Sequence, residues 1–442
     1  MARTRLIKPR KHEGEVTSFP LEHQIPIEYV VAGRAQWHAR CIPPEAADLS
    51  QRLLVTSPRD LDPVFDYLQG QKVLACDSET SGPSQEDGLD PVSQTSKIIL
   101  FQLGTEELVY LIEPDLLGAD ARFKTLLEGT GNLFLLQNAV HDFKFLLTKY
   151  RIHLALLYCT MLAEQVLTAG KEGVKVGLAE LARKYPPYRY IRKTLRDKFI
   201  QHTGTFTRQQ LYYGARDVML LPAISQGQIA LMKQFGLLNV AKDEFDAIPV
   251  TAEMEIGGVY ADEERIRITQ CYFERQSDIA EAQIVKIYND ELRRLGKLEL
   301  DLLGERTQTL NLKSPAAKIE ALAAIGIFVE DVQRETLLAI DHPITKPMSD
   351  YLECQKVIGT YCKGLLERRH PHTGLIHPQF HQHGRGDRET PGDNGKATIS
   401  SGRYSGDMQQ LPRPERIFDQ VTDPAEIAKL HAMWPERFAL AA

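Results

Sequence analysis

The sequence predicts an α/β domain, then a mainly helical region, then a short polar, Gly-rich segment. Three observations lead there. Lys72-Val73-Leu74-Ala75-Cys76 is a short, mostly apolar run, as a strand buried on both faces should be. Residues 97–103 and 108–112 read as two further strands around a Gly104-Thr105-Glu106-Glu107 turn, a hairpin. Beyond about 241 the strand signals fade, and Ile279, Ile284, Ile287, Tyr288, Leu292 and Leu295 recur at helical spacing after a candidate cap at Asp262.

The elements follow in order. Residues 1–52 hold Pro20, Pro26, Pro43 and Pro44, which interrupt any long helix, and read as a partly ordered lead-in. From 53 to 240 the pattern is α/β. Leu133-Phe134-Leu135-Leu136 is another strand candidate, and helices are expected near 141–150, 159–168, 176–184 and 207–235. Residues 241–375 form the helical region. From 376 to 442 the chain turns polar and Gly-rich. A length of 442 residues suits two or three domains.

Bulk chemistry excludes several classes. The formal net charge is −6, so no whole-chain signal marks nucleic acid, and any such role must rest on local charge. The six cysteines never take CxxC spacing, which argues against a zinc site or a disulfide framework and fits a reducing cytoplasm. The basic N-terminus lacks the apolar stretch of a secretory signal, and no apolar run approaches membrane-spanning length.

Three short motifs carry the chemistry. Asp77 and Glu79 lie in Cys76-Asp77-Ser78-Glu79-Thr80, directly after the apolar strand. Side chains at i and i+2 share a face, so both carboxylates project together from the strand end. Asn138 and Asp142 follow the strand at 133–136 and open a helix, four residues apart on one face. Tyr213 and Asp217 repeat that spacing on a later helix. Taken singly, a surface strand end, an N-cap asparagine and a structural tyrosine explain each pair. Together they change the weighing. Mg²⁺ and Mn²⁺ want hard oxygen ligands, and four carboxylates can hold two ions. Two ions roughly 3.5–4 Å apart suit phosphodiester hydrolysis.

The order D-x-E, N-x-x-x-D, Y-x-x-x-D resembles the three exonuclease motifs of the tyrosine-subtype DEDD nucleases. Their ribonuclease H-like fold is the proofreading domain of family A DNA polymerases and occurs in RNase D-type enzymes. Thr160-Met161-Leu162-Ala163 and Gly177-Leu178-Ala179-Glu180-Leu181-Ala182 also look like family segments. The resemblance implies that Asp77, Glu79 and Asp217 hold the ion that activates water, and that Asp77 and Asp142 serve the second. Tyr213, with Glu79, would position the nucleophile, and Asn138 would contact the DNA end. Cys159 stands where relatives often carry aspartate, outside the metal set. A basic, aromatic stripe from Arg183 to Lys198, including Arg189, Arg192 and Lys193, offers cations for phosphates and rings for stacking; a solvated surface explains it equally well.

Beyond the exonuclease the chain resembles a family A polymerase thumb, through Pro249–Glu255, Gly257–Asp262, Asn311–Pro315 and Tyr351–Tyr361, and the start of its palm, through Thr373–Phe380. Ser400–Pro412 looks like a shortened palm segment in which Arg403 and Gln409 are DNA-contact candidates. Arg437–Ala442 resembles the lead-in to the polymerase catalytic aspartate, and there the chain stops. The resemblance therefore implies a 3′-5′ DNA exonuclease with two divalent cations, Mg²⁺ or Mn²⁺. It acts on a single-stranded 3′ end or primer-template, and no DNA synthesis is expected from this chain alone. Two accounts of the ending stay open: an interrupted gene, or a separate chain supplying the rest of the palm and fingers. The alternatives to the DNA exonuclease are an RNase D-like RNA-trimming enzyme and a non-catalytic DNA-binding fragment.

Overall fold

The computed structural model describes residues 54–106, 108–169, 171, 174–185, 198–200, 202, 204–298, 300–301, 304–305, 308–383, 405–406 and 423–433. These fall into two compact units. The first runs to Gly257 and takes in the described residues from Pro378 to Asp407; the second runs from Gly258 to His377 and takes in those after Met408. The lead-in at 1–52, Arg189, Arg192, Lys193, Arg403, Gln409 and most of 376–442 lie outside the described residues.

The first unit is built on a six-stranded mixed sheet, β1 (Leu54–Val55), β2 (Val73–Ser81), β3 (Lys97–Gly104), β4 (Val109–Ile112), β5 (Leu133–Leu136) and β6 (Leu157–Cys159), in the order β1-β4-β3-β2-β5-β6. The β3–β4 hairpin is antiparallel, as expected; β2 runs antiparallel to β3 and parallel to β5. Gly104 is required at the hairpin's end, because a β-carbon there would lie 2.1 Å from the Leu108 carbonyl oxygen. One expectation is corrected. The strand does not end at Cys76 but continues through Asp77, Ser78 and Glu79 to Ser81. Asp and Ser are poor strand formers, yet β3 pairs with β2 residue by residue from Ala75 to Ser81, with one irregularity after Glu79, and the ladder holds them extended.

Helices pack around this sheet: α1 (Leu61–Gln69), α2 (Gln85–Leu89), α3 (Pro114–Ala119), α4 (Ala121–Glu128), α5 (Ala139–Tyr150), α6 (Thr160–Leu167), α7 (Leu178–Lys184), α8 (Arg208–Met219), α9 (Leu221–Phe235), α10 (Leu238–Asp246) and α11 (Ile248–Gly257). The single helix expected over 207–235 is two. Pro222 in the first turn of α9 has no N–H to give the preceding turn, so a new helix starts there. Ala241, Phe245, Ile248 and Ala252 bring α10 and α11 onto the same core as the sheet. Glu255 of α11 receives Lys144 Nζ from α5 at 2.6 Å and the Phe380 N–H at 2.6 Å.

A buried polar network joins α6, α7 and α9. Glu164 is fully buried. It pairs with Lys184, accepts the Tyr185 hydroxyl at 2.8 Å and accepts Gln228 Nε2 at 3.0 Å. Tyr158 closes the network by donating to Gln228 Oε1 at 3.2 Å.

The second unit contains β7 (Val259–Tyr260), α12 (Glu263–Arg294), β8 (Leu300–Asp301), β9 (Gly304–Glu305), α13 (Pro315–Ala324), α14 (Arg334–Leu338), α15 (Thr345–Lys356), a π-helical stretch (Val357–Lys363), α16 (Gly364–Glu367), β10 (Leu375–Ile376) and α17 (Pro424–Met433). Asp262 caps α12, accepting the Arg265 N–H at 2.9 Å, as the sequence suggests. The apolar stripe of α12 is narrower than expected. Ala280, Ile284, Tyr288 and Leu292 are buried at four-residue spacing, while Ile279 and Leu295 are 44% and 38% exposed: Ile279 projects to the side of that line, and Leu295 stands at the C-cap, past the last turn. Among the described residues no helix is long and apolar enough to cross a membrane, and the five described cysteines are buried and form no disulfide with one another.

Removing Glu164 strands three partners at once. Glu164→Ala is expected to lower the unfolding free energy by about 3 kcal/mol, the low end for a broken buried pair because Lys184 keeps some access to water. Urea unfolding of the variant checks this; an unchanged midpoint would contradict it.

Candidate active site

The site starts from β2, an interior strand and the longest in the sheet. Asp77 pairs in register with Gln102 of β3, and Glu79 with Leu100. Alternation turns Asp77 and Glu79 to one face and Ser78 to the other. The Ser78 hydroxyl donates to Asp142 Oδ1 at 2.6 Å. That bond ties the third motif, at the start of α5, to the strand carrying the first. Helix α8 carries the remaining pair, Tyr213 and Asp217, and packs across β2, β3 and β4. Thr207 starts α8 with a capping box: its hydroxyl accepts the Gln210 N–H at 3.3 Å, and its own N–H bonds Gln210 Oε1 at 3.0 Å.

Burial sets the electrostatics. Glu79, Asp142, Tyr213 and Asp217 are buried, and Asp77 is half-buried. Desolvation, and after it the nearby Asp77 charge, hold the Asp142 carboxyl well above the usual aspartate range; the Ser78 hydrogen bond opposes the rise without cancelling it. The Cys76 thiol reports the same crowding. Burial raises it first, then the charges of Asp142 and Asp77. Asp77 and Asp142 therefore share one low-dielectric neighbourhood. Tyr213 lies against Phe199, with ring centroids 5.9 Å apart.

Asn138 occupies the N-cap position of α5 in the left-handed region, at φ 61° and ψ 51°, and its side chain makes no capping bond. Asparagine tolerates this backbone better than most residues. The ordinary capping role thus does not account for it, and the residue is exposed at the head of the helix that bears Asp142.

The donor chemistry suits hard divalent cations: carboxylate oxygens only, two of them crowded enough to repel. Among the described residues, no three His, Cys, Asp or Glu side chains converge on one point where they could hold a metal ion.

Sequence reasoning missed two residues. Ser78 sits inside the D-x-E motif and anchors Asp142. Gln102 is a lone polar residue within Ile98-Ile99-Leu100-Phe101-Gln102-Leu103, and a polar interruption in an apolar strand was the signal that marks it.

Asp142→Asn is expected to raise the thermal midpoint at neutral pH in chelator. The folded pKa lies above the ordinary 3.8, so ionised Asp142 costs stability as pH rises past that value, and an amide carries no such cost. The gain should vanish below pH 3.8. Melts from that pH to neutrality check the sign, and a variant less stable throughout would refute it.

Comparisons with known proteins bear on this geometry. Residues 54–227 match the family described as 3′-5′ exonuclease. No curated protein matches. Among solved structures, the POL domain of Pol1 from M. smegmatis, in complex with DNA primer-template and dNTP, is similar with a TM-score of 0.54 and 16% identity, over 74% of this chain and 52% of that one. The chain thus spans about half the length of that domain, and at this identity the likeness shows the fold alone. Escherichia coli RNase D, an exoribonuclease involved in structured RNA processing, gives 0.40 at 16% identity, over 68% and 74% of the two chains. Brucella melitensis NrnC with bound Mg²⁺ gives 0.34 at 19%, over 44% and 89%. Both of these scores are too low to support an argument. Over residues 54–227 the chain is thus similar to the 3′-5′ exonuclease family, and its fold is similar to that of a Pol1 polymerase domain.

Proposed function

We propose that this domain removes nucleotides one at a time from the 3′ end of DNA, as the proofreading-type nuclease of a family A polymerase, and releases nucleoside 5′-monophosphates. The observation that supports it best is the Ser78–Asp142 bond, which joins the D-x-E strand to the helix of the second motif. A chain that needed only to bind DNA would have no use for carboxylates buried and crowded at such a cost.

Asp77, Glu79, Asp142 and Asp217 would hold two divalent cations, Mg²⁺ or Mn²⁺. When bound, such ions supply a nucleophile from water and stabilise the leaving 3′ oxygen. The Tyr213 hydroxyl, with Glu79, orients the attacking water. Its ring packs against Phe199. Asn138, exposed beside the carboxylates, contacts the terminal nucleotide. Arg189, Arg192 and Lys193 grip the strand through its phosphates, and Arg403 and Gln409 contact the primer-template.

A gel assay on 3′-labelled and 5′-labelled DNA with Mg²⁺ tests the reading. Stepwise, metal-dependent shortening from the 3′ end is expected, and Asp77→Ala should abolish it. The same assay on RNA of matching sequence decides the substrate; faster RNA trimming would favour the RNase D-like alternative. Tyr213→Phe keeps the ring packing and is expected to cut kcat about 10²-fold with little change in DNA affinity. A variant with full kcat would remove the hydroxyl from the mechanism.

A further inference from the structure

Gln102 makes an awkward core residue. It is fully buried in β3, and neither its Nε2 nor its Oε1 has a hydrogen-bond partner. Buried amides left in this state are rare, and each calls for an explanation. An apolar side chain of the same length would fill the space without that cost.

Its position supplies the explanation. Gln102 is the register partner of Asp77, so the two side chains rise from the same face with β-carbons about 5 Å apart. The Gln102 amide points at α8. A β-carbon added to Gly214 would lie 2.7 Å from Nε2 and 3.5 Å from both Cδ and Cγ. The absent side chain of Gly214 is therefore the notch that admits the amide. Asp217 stands three residues on from Gly214, one turn along and on the same side of the helix. The amide thus lies between the strand that carries Asp77 and the helix that carries Asp217.

We propose that Gln102 is a positioning residue of the site. Resting on the reading of these carboxylates as cation ligands, the inference is that the amide hydrogen-bonds the Asp77–Asp217 pair when the two are drawn together, and so fixes which oxygens face the ions. It touches neither substrate nor reacting atoms. Gly214 serves the same end by leaving the amide its place.

The test compares wild type with Gln102→Met, an apolar side chain of similar length, in three measurements. Thermal melts in chelator should show a midpoint equal to or above wild type, because an unpartnered amide has gone. Calorimetric titration with Mn²⁺ should show affinity reduced about 10-fold. On 3′-labelled DNA, kcat should fall about 10-fold with KM unchanged. Gln102→Asn, which keeps an amide but withdraws it by one methylene, should also lose Mn²⁺ affinity and guards against a folding defect of the first variant. Mn²⁺ affinity and kcat within twofold of wild type in both variants would overturn the proposal. The Mn²⁺ titration decides this even if wild type proves to have no nuclease activity, a result that would count against the exonuclease reading alone.

Discussion

The burial of Asp142, with the charge of Asp77 close by, is the constraint on which the site depends. Two carboxylates that share a buried neighbourhood cannot both ionise cheaply. Asp142 shows the strain in its raised pKa, and the Cys76 thiol beneath it shows the same field. One hydroxyl, Ser78, offsets part of the cost. The rest is what a divalent cation would relieve. An arrangement that is poor for stability is thus suited to holding a cation, as the proposed function requires.

The scaffold holds this unfavourable pair from two sides. On the Ser78 face of β2, α5 brings in Asp142; on the Asp77 and Glu79 face, α8 brings in Tyr213 and Asp217. Each helix is held by interactions away from the carboxylates. Helix α5 is tied through Lys144 to Glu255, which also accepts the Phe380 N–H. Helix α8 begins in a capping box. The contrast between Glu164 and Gln102 is informative. Both are fully buried, yet Glu164 has every acceptor occupied and Gln102 has neither polar atom paired. A saturated network of this kind fixes geometry and has no capacity to spare. The unsaturated amide lies where the carboxylates are, and there a spare hydrogen bond has a use.

Much of this was legible in the chain. The hairpin at 97–112, the strand at 133–136 and the Asp262 cap follow from short apolar runs, turn residues and capping chemistry, which act over a few residues. The spacing of Asp77 and Glu79, Asn138 and Asp142, and Tyr213 and Asp217 put each pair on one face of its element for the same local reason. Local rules failed where a neighbour decides. Asp77-Ser78-Glu79 has little strand propensity and is extended only because β3 pairs with it. Ile279 misses the face that the neighbours of α12 cover, and Leu295 stands past the helix's last turn.

The sequence by itself determined the residue types, their order and their pairing within single elements, because helix and strand periods are properties of the local backbone. Only the tertiary structure decided which pairs meet. Asp142 lies 64 residues from Ser78, and Gly214 is 112 positions (214 − 102) from the amide it admits; no local period reports such separations. Burial is likewise a property of everything packed around a side chain. It alone turned an ordinary aspartate, Asp142, into one that resists ionising, and a lone glutamine into an unpaired amide.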